Sequence, residues 1–338
     1  MPVRCRCAGG PVPNPWPTSI FPMPKKAVYS DEILRMAATL YYVDGLVQSD
    51  VAQFVRVSQT KISRLLAIAL ERGIVHITVE QYQARNDRLE HALREKFALK
   101  SATVIKTAAN ATREVARQTV GHFGAPIVAT LLPVGGTLAL GGGRSVADVV
   151  QRFRRGDLRR LTIVQAMGSI DASISPVDAL ELGRAMVKLW GGEFVTLSTP
   201  AFVADKKTRD FFLASEQIRS VWQRLRKADA ALVGVGPLEE SVYIERGVLN
   251  ASDVAALRGG GAVGEICGRY FDAQGRECRS RWKDRAISIE LDLLRKIPQV
   301  IGVAAGADRA GPVAAAMRGG LLKSILIDEA GAQALLAM

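Results

Sequence analysis

The stretch "SQTKISRLLAIALERG", residues 58–73, places its polar residues first and its apolar residues behind them. Ser58 is a favourable helix N-cap, and Gly73 is a typical residue to follow a helix C-terminus. The apolar residues recur at i, i+3, i+4 and i+7, which predicts a helix with one buried face: Ile62, Leu65, Leu66 and Ala69. The exposed polar face therefore lies mainly at the N-terminal end of this helix.

Two helical patterns precede this helix, and a β-branched stretch follows it. "SDEILRMAATLYYVDG" begins at the N-cap candidate Ser30 and stops at Gly45, and "VQSDVAQFVRV" predicts a short helix capped by Ser49. A tight turn at Arg56-Val57 leads into Ser58, and "IVHITVE", residues 74–80, predicts a strand. Together these elements predict a winged helix-turn-helix over residues 28–80.

The second helix of such a motif enters the DNA major groove with its N-terminal end. Arg and Lys recognise guanine edges, Gln recognises adenine, and Ser or Thr reach bases or phosphates. The predicted DNA-binding residues are therefore Ser58, Gln59, Thr60, Lys61, Ser63 and Arg64. The alternative is a small three-helix bundle whose polar face contacts only solvent.

Length and composition bound the class of protein. A chain of 338 residues predicts two or more domains, and 48% hydrophobic with 23% charged residues is ordinary for a globular protein. Because no apolar run reaches the roughly 18–20 residues that cross a bilayer, we expect a soluble protein. The net charge of +12 suits a polyanionic partner, but it is spread along the chain and does not form a basic arm.

The four cysteines, Cys5, Cys7, Cys267 and Cys278, form no CxxC pair and lie far from the three histidines. We therefore expect no metal site, no cofactor and no disulfide framework, which favours the reducing cytoplasm. The proline-rich segment 1–27 lacks the apolar core of a secretory signal and predicts a disordered tail. A translation start at Met23 is an alternative explanation of that segment.

From residue 100 onward, short β-branched runs alternate with helical segments, which predicts a Rossmann-like α/β domain around a parallel sheet over residues 100–338. The charged helix that precedes it, within residues 81–99, fits a linker or an oligomerisation element. Seven strands are predicted, at residues 101–105, 137–140, 161–167, 193–198, 230–236, 300–306 and 324–329. Ligands of such sheets bind beyond the carboxyl ends of the strands.

The segment "LVQSDVAQFVRVSQTKISRLLAIALERGIVHITV" resembles the winged helix-turn-helix of the SorC family of sugar-responsive transcriptional regulators. The resemblance continues through "LEHALREKFALKSATVI", "ADAALVGVGPLEES", "GAVGEICGRYFDAQGR", "IPQVIGVAAG" and "MRGGLLKSILIDEAGAQALL". It implies an effector domain related to sugar-phosphate isomerases and deaminases, with a sugar or a phosphorylated sugar as effector. Because one small helix-turn-helix binds DNA weakly, we expect a homodimer or homotetramer on a double-stranded operator.

The stretch "LALGGGRSVADVV", residues 138–150, has the pattern of a strand, a glycine turn and a helix. Gly141, Gly142 and Gly143 allow close approach of a ligand, and Arg144 and Ser145 at the helix start favour an anion such as a sugar phosphate. A glycine-rich turn without a ligand is the alternative. The sequence is neither a Walker A motif nor GxGxxG, and the literal GxGxxG at residues 259–264 follows a helical stretch, so we interpret that motif as a loop.

The family resemblance implies further effector contacts at strand ends: Gly168, Ser169, Arg246, Glu265, Asp284 and Arg309. Glu265 would accept hydrogen bonds from sugar hydroxyls. The alternatives are an exposed loop acid at Glu265, a surface charge at Arg246 and a hairpin-turn aspartate at Asp284. Two positions depart from the family pattern. Met167 stands where many relatives have a basic or amide residue, and Arg309 stands where they usually have lysine, so a Schiff base at residue 309 is excluded.

An active sugar-phosphate isomerase or deaminase fused to a DNA-binding module is the rival hypothesis. Such chemistry needs a base with a pKa near neutrality, and no histidine occurs after His122. A carboxylate base at Glu265 or Asp284 keeps that hypothesis open. A second rival is a regulator that responds to a protein partner. We predict a regulator without catalytic activity that responds to a sugar effector.

Overall fold

The computed structural model describes residues 29–80, 82–155, 160–173 and 175–338. The predicted N-terminal tail, residues 1–27, and the alternative start at Met23 lie outside the described residues. The chain divides into two compact units, with the boundary between Tyr82 and Gln83. Across the described residues, no helix is both long enough and apolar enough to cross a membrane.

From residue 29 onward, the described part of the first unit is a bundle of three helices: α1 (Asp31–Ala38), α2 (Gln48–Val55) and α3 (Gln59–Glu71). A π-helical turn, Thr39–Val43, extends α1. The apolar stripe predicted for residues 62–69 is buried in the core of this unit, which consists of Leu34, Ala37, Ala38, Val51, Ala52, Ile62, Leu65, Leu66 and Ala69. The predicted helix-turn-helix is therefore present as α2, a short turn and α3.

The caps of these helices agree with the sequence in two of three cases. The hydroxyl of Ser58 accepts a hydrogen bond from the backbone N–H of Lys61 at 3.3 Å, and Ser30 caps α1 in the same way. Ser49 does not cap α2, because that helix begins one residue earlier at Gln48 and Ser49 donates to Asp50 instead.

The predicted wing strand is wrong. Residues 74–80 form no strand, and the side chains of Ile77 and Val79 are 57% and 79% exposed. β-Branched residues favour a strand only where a partner strand and a buried face are available. Among the described residues this stretch has no partner strand, and after Ile74 and Val75, which pack against the core of the unit, residues 76–80 are exposed. Its composition therefore did not suffice to form a strand.

The described residues of the second unit form nine strands: β1 (Ser101–Ile105), β2 (Thr137–Leu140), β3 (Thr162–Gln165), β4 (Glu193–Val195), β5 (Ala230–Gly234), β6 (Gly264–Ile266), β7 (Arg269–Phe271), β8 (Gln299–Val303) and β9 (Ser324–Asp328). Seven of them form a fully parallel sheet in the order β1-β9-β8-β5-β2-β3-β4, and β6 pairs antiparallel with β7. All seven predicted strand segments contribute a strand to this sheet, which confirms the predicted α/β class.

Helices cover both faces of the sheet. The helices are α4 (Asp87–Phe97), α5 (Arg113–Leu131), α6 (Arg144–Val150), α7 (Ala179–Trp190), α8 (Lys206–Ala214), α9 (Glu216–Leu225), α10 (Val242–Glu245), α11 (Ala251–Gly259), α12 (Leu291–Lys296), α13 (Ala310–Arg318) and α14 (Glu329–Ala337). Helices α5, α6 and α7 pack on one face, where Leu138 and Leu140 point, and helices including α9 and α13 pack on the other, where Ala139 points. Alternate residues of the strands thus enter two separate cores.

The helix predicted as a linker, α4, packs against β1 and α14 within the second unit. It begins at Asp87, with Asn86 as its N-cap, and its residue Leu93 is fully buried. The buried carboxylate of Glu90 accepts the backbone N–H of Val104 at 3.0 Å and the guanidinium of Arg85. These bonds attach α4 to the strand at the edge of the sheet.

Candidate functional site

A cavity of about 420 Å³ opens beyond the carboxyl ends of four neighbouring strands, β3, β2, β5 and β8. After β2 the chain runs outward through β3 and β4, and it then returns to add β5, β8 and β9 on the other side of β2. This reversal makes the gap between β2 and β5 the topological switch point, where open α/β sheets bind their ligands. The size of the cavity suits a small metabolite.

The glycine turn between β2 and α6 forms one wall of the cavity through Gly142, Gly143, Arg144 and Ser145. Gly143 has φ +113°, which L side chains rarely adopt, so this turn requires glycine there. Gly141 lies behind this wall and does not line the cavity. The N–H groups of Gly141 and Gly143 donate to the carbonyls of Leu232 and Val177, so these two groups do not face a ligand as the sequence suggested.

Four arginines line the cavity, and we call them the arginine cluster: Arg113, Arg117, Arg144 and Arg309. The sequence predicted Arg144 and Arg309 but missed Arg113 and Arg117, which lie one turn apart at the start of α5. Their spacing of four residues was a signal for a shared helix face. Nothing in the local sequence indicated that this face turns toward the glycine turn.

Each member of the arginine cluster already contacts a carboxylate. Arg117 lies 2.5 Å from Asp148, and Arg144 lies 2.7 Å from Glu245. Arg113 and Arg309 both contact the same oxygen, Oε2 of Glu240. Asp308 lies 3.4 Å from both Arg113 and Arg309, so four carboxylates face the four arginines within the described residues.

The carboxylate of Glu265, on β6 beside Gly236, also lines the cavity. Its Oε2 accepts the backbone N–H of Gly268 at 3.0 Å. Desolvation raises the pKa of Glu265 from 4.5 to about 7, against the lowering effects of that hydrogen bond and of Arg309. A carboxyl group in this state suits hydrogen bonding with the hydroxyls of a polar ligand.

Asp178, which the sequence analysis missed, also lines the cavity at the N-terminus of α7. Arg246, predicted as a contact, does not line the cavity; its guanidinium lies 3.1 Å from Asp178 and 3.5 Å from Asp171. Arg246 therefore contacts the cavity wall through its ion pair with Asp178. Asp178 had no sequence signal beyond its place before a helix.

Of the other predicted contacts, two residues line the cavity and one does not. Gly168 and Ser169 line the cavity after β3, next to Met167. Asp284 does not: its half-exposed carboxylate lies 3.6 Å from Arg209, in a turn away from the cavity. The family resemblance therefore predicted a contact at Asp284, and the fold places this residue outside the cavity.

Cys267 is the thiol that lines the cavity. Desolvation and the nearby Glu265 raise its pKa to about 12, so the thiol stays protonated and unreactive near neutral pH. Across the described residues, no group of three or more His, Cys, Asp or Glu side chains is arranged to hold a metal ion.

In the first unit, the six predicted DNA-contacting residues are all exposed around the N-terminal half of α3. Lys61 lies 5.7 Å above the ring of Tyr29, a cation–π contact that holds its side chain near the start of the helix. Arg64 forms no ion pair within the described residues of this unit. The side chains are thus free to meet a polyanion.

Comparison with known proteins identifies the family. The family model named Sugar-bind, which represents a sugar-binding domain, matches residues 82–337. The sorbitol operon regulator of Klebsiella pneumoniae is 27% identical over 314 residues, covering 91% of this chain and 99% of that protein. The deoxyribonucleoside regulator of Bacillus subtilis (strain 168) is 28% identical over 308 residues, covering 88% and 95%.

The folds agree as well. The crystal structure of the full-length sorbitol operon regulator SorC from Klebsiella pneumoniae matches with a TM-score of 0.73 at 24% identity, covering 91% of this chain and 99% of that chain. A sugar-binding domain of a transcriptional repressor from Vibrio fischeri matches with a TM-score of 0.67 at 28% identity, covering 75% and 98%. The chain therefore belongs to the SorC family of transcriptional regulators with a C-terminal sugar-binding domain.

Proposed function

We propose that this protein is a DNA-binding regulator whose second unit binds a phosphorylated sugar in the cavity at the switch point of the sheet. The observation that carries the proposal is the arginine cluster in a cavity of a sugar-binding domain. Guanidinium groups bind phosphate oxygens in pairs, with geometry that a neutral sugar cannot exploit. Family membership supports the sugar, and the cluster supports the phosphate.

The two ends of the ligand have different partners in this proposal. The phosphate lies against the arginine cluster, beside the first turn of α6. The hydroxyls lie toward Glu265 and Asp178, two carboxyl groups that accept hydrogen bonds. Ser145 and Ser169 add short hydroxyl contacts.

The first unit supplies DNA binding in this proposal. The exposed face of α3 presents Gln59, Lys61 and Arg64 to bases and phosphates of a double-stranded operator. Tight operator binding requires a homodimer or homotetramer on repeated half-sites. The regulator acts in the cytoplasm. The sugar phosphate changes transcription because it binds DNA-competent and DNA-incompetent arrangements with different affinity.

Turnover of the sugar is not part of the proposal. Within the described part of the chain, no histidine lines the cavity, and Cys267 is held as a thiol. Glu265, whose pKa lies near neutrality, has a binding role in the proposal, as a hydrogen-bond partner for the hydroxyls of the sugar. Incubation with a hexose phosphate should therefore leave it unchanged by NMR.

The test is a thermal-shift titration of the full chain with matched sugars, each with and without its phosphate. A ligand that binds only the folded state raises the melting temperature with concentration. We expect shifts from one or more phosphorylated sugars and none from the same sugars without phosphate. Equal shifts from both forms, or no shift across hexoses, pentoses and polyols, would remove the phosphate from the proposal.

A further inference from the structure

One acid of the second unit, Glu240, occupies the centre of the arginine cluster. Its Oε2 accepts a hydrogen bond from Nη2 of Arg309 at 2.8 Å and also contacts Arg113. Its backbone carbonyl accepts Nη2 of Arg144 at 3.0 Å. One residue thus connects three arginines that come from α5, α6 and the segment after β8.

Glu240 carries a full negative charge at neutral pH. Desolvation raises its pKa, but the hydrogen bond from Arg113 and the charges of Arg309 and Arg144 outweigh it, so the pKa lies below its ordinary value. Its side chain is 33% exposed and belongs to the short connection between β5 and α10. The carboxylate therefore sits where a ligand anion would bind and has a path to solvent.

We propose that Glu240 is the specificity-determining residue of the cavity: it competes with the ligand for Arg113 and Arg309, so that only an anion of higher charge displaces it. This inference rests on the proposed function. It assigns the ligand class as dianionic phosphate esters and excludes sugar acids, whose single carboxylate offers the arginines no more than Glu240 does.

The charge balance gives the reason. Exchange of one carboxylate for another leaves the electrostatic energy of the arginines nearly unchanged, while the ligand still loses freedom on binding. A dianion offers more charge and three oxygens, so it gains from the exchange. A neutral sugar gains nothing from the arginines. Selection thus comes from a built-in competitor as well as from attraction.

Arg113 and Arg309 have a second carboxylate neighbour besides Glu240. Asp308 lies 3.4 Å from Arg113 and 3.4 Å from Arg309, so both keep a carboxylate neighbour when Glu240 is neutralised. Replacement of Glu240 by glutamine therefore removes the competing charge and leaves the guanidinium groups in place. This distinguishes a competitor from a residue that only positions the arginines, because the two roles predict opposite changes in ligand affinity.

The experiment compares the full-length wild type with Glu240→Gln, by calorimetric or thermal-shift titration with sulfate, inorganic phosphate and gluconate. The matched control is Glu239→Gln, which removes an equal charge from the adjacent residue; Glu239 pairs with Arg258 and does not line the cavity. We expect Glu240→Gln to bind sulfate and phosphate about tenfold more tightly. It should also bind gluconate, which the wild type and the control do not.

Unchanged or weaker sulfate and phosphate binding by folded Glu240→Gln would overturn the inference and make Glu240 a positioning residue. If Glu240→Gln does not fold, Glu240→Asp serves instead: its shorter carboxylate reaches the arginines less well, and we expect a smaller gain of the same sign. Weaker binding by that variant overturns the inference equally. If the wild type binds phosphorylated and free sugars alike, the proposed function fails, whatever the variants show.

Discussion

The polar face of α3 and the arginine cluster are both cationic, yet they differ in how their charges are satisfied. On α3, the predicted contacts fall within residues 58–64, and all six are exposed. In the cavity, the four arginines come from three separate segments, and each contacts a carboxylate of the same unit. The face of α3 is exposed and comes from one segment of the chain. The arginine cluster is built from separate segments, and its charges are paired with carboxylates.

This difference is what the two proposed partners would require. DNA presents a long array of phosphates, and binding to it gains from every unpaired cation that reaches the backbone. A small metabolite must be distinguished from many similar anions, so the cavity benefits from internal carboxylates that weak competitors cannot displace. We therefore expect DNA binding to fall steeply with salt and effector binding to depend on ligand charge more than on ionic strength.

The largest expected effect comes from a new charge in the cavity. Ser145 lines the wall beside Arg144, so Ser145→Glu adds a carboxylate where the phosphate of the ligand is proposed to bind. We expect the affinity for a phosphorylated effector to fall about 100-fold or more, roughly 3 kcal/mol, with DNA binding unchanged. Calorimetry and fluorescence anisotropy with operator DNA measure the two activities.

Ser145→Gln is the matched control, because it has the same size without the charge. We expect it to weaken the effector far less than Ser145→Glu does. Equal losses in both variants would mean that bulk, and not charge, blocks the cavity, and an unaffected Ser145→Glu variant would place the phosphate elsewhere.

A smaller effect is expected from the pH dependence of Glu265. Its pKa of about 7 lies above the ordinary 4.5, so the folded protein holds this proton more tightly than the unfolded chain does. Its stabilising contribution is therefore complete below about pH 4.5 and is lost as the pH rises through 7. Relative to wild type, Glu265→Gln should gain about 2–3 kcal/mol of unfolding free energy between pH 5 and pH 8.

Denaturant unfolding at several pH values measures the difference in unfolding free energy between Glu265→Gln and the wild type, which we call the gap. Glu239→Gln is the control, since the hydrogen bond from Arg258 holds the pKa of Glu239 below its ordinary value, and its gap should stay flat in the same range. A gap for Glu265→Gln that does not change with pH would show that the cavity is wet enough to leave this carboxyl ionised.

The contrast between the two surfaces also explains what the sequence could predict. The helix-turn-helix depends on spacing within one segment, and the buried stripe Ile62–Ala69 and the cap Ser58 follow from local rules. The seven strands of the parallel sheet followed from their β-branched runs in the same way. The strand predicted over residues 74–80 has the same local composition, but it finds no partner strand among the described residues, and local rules do not specify the partner.

The cavity was predictable only in part for the same reason. The strand–glycine–helix pattern predicted the glycine turn and Arg144, and the family resemblance added Gly168, Glu265 and Arg309. Arg113, Asp178 and Glu240 reach the cavity because of the strand order, which places the ends of β2 and β5 side by side. Their roles depend on that juxtaposition, and no local pattern contains it.

The smallest expected effect is on the open surface. Arg64 is exposed and has no ion pair within the described residues, so Arg64→Ala should leave folding intact and weaken operator binding by about 1–3 kcal/mol if it recognises a base. Gln59→Ala, on the same exposed face, provides a comparison that removes no charge.

Anisotropy titrations on operator and on unrelated DNA at several salt concentrations distinguish an arginine that recognises a base from one that contacts a phosphate. A loss confined to the operator identifies base recognition, whereas an equal loss on both DNAs, with a salt slope smaller by about one, identifies a phosphate contact. Full binding by Arg64→Ala to both DNAs would show that Arg64 lies outside the DNA interface. Lys61 would then be the remaining cation among the predicted DNA contacts of α3.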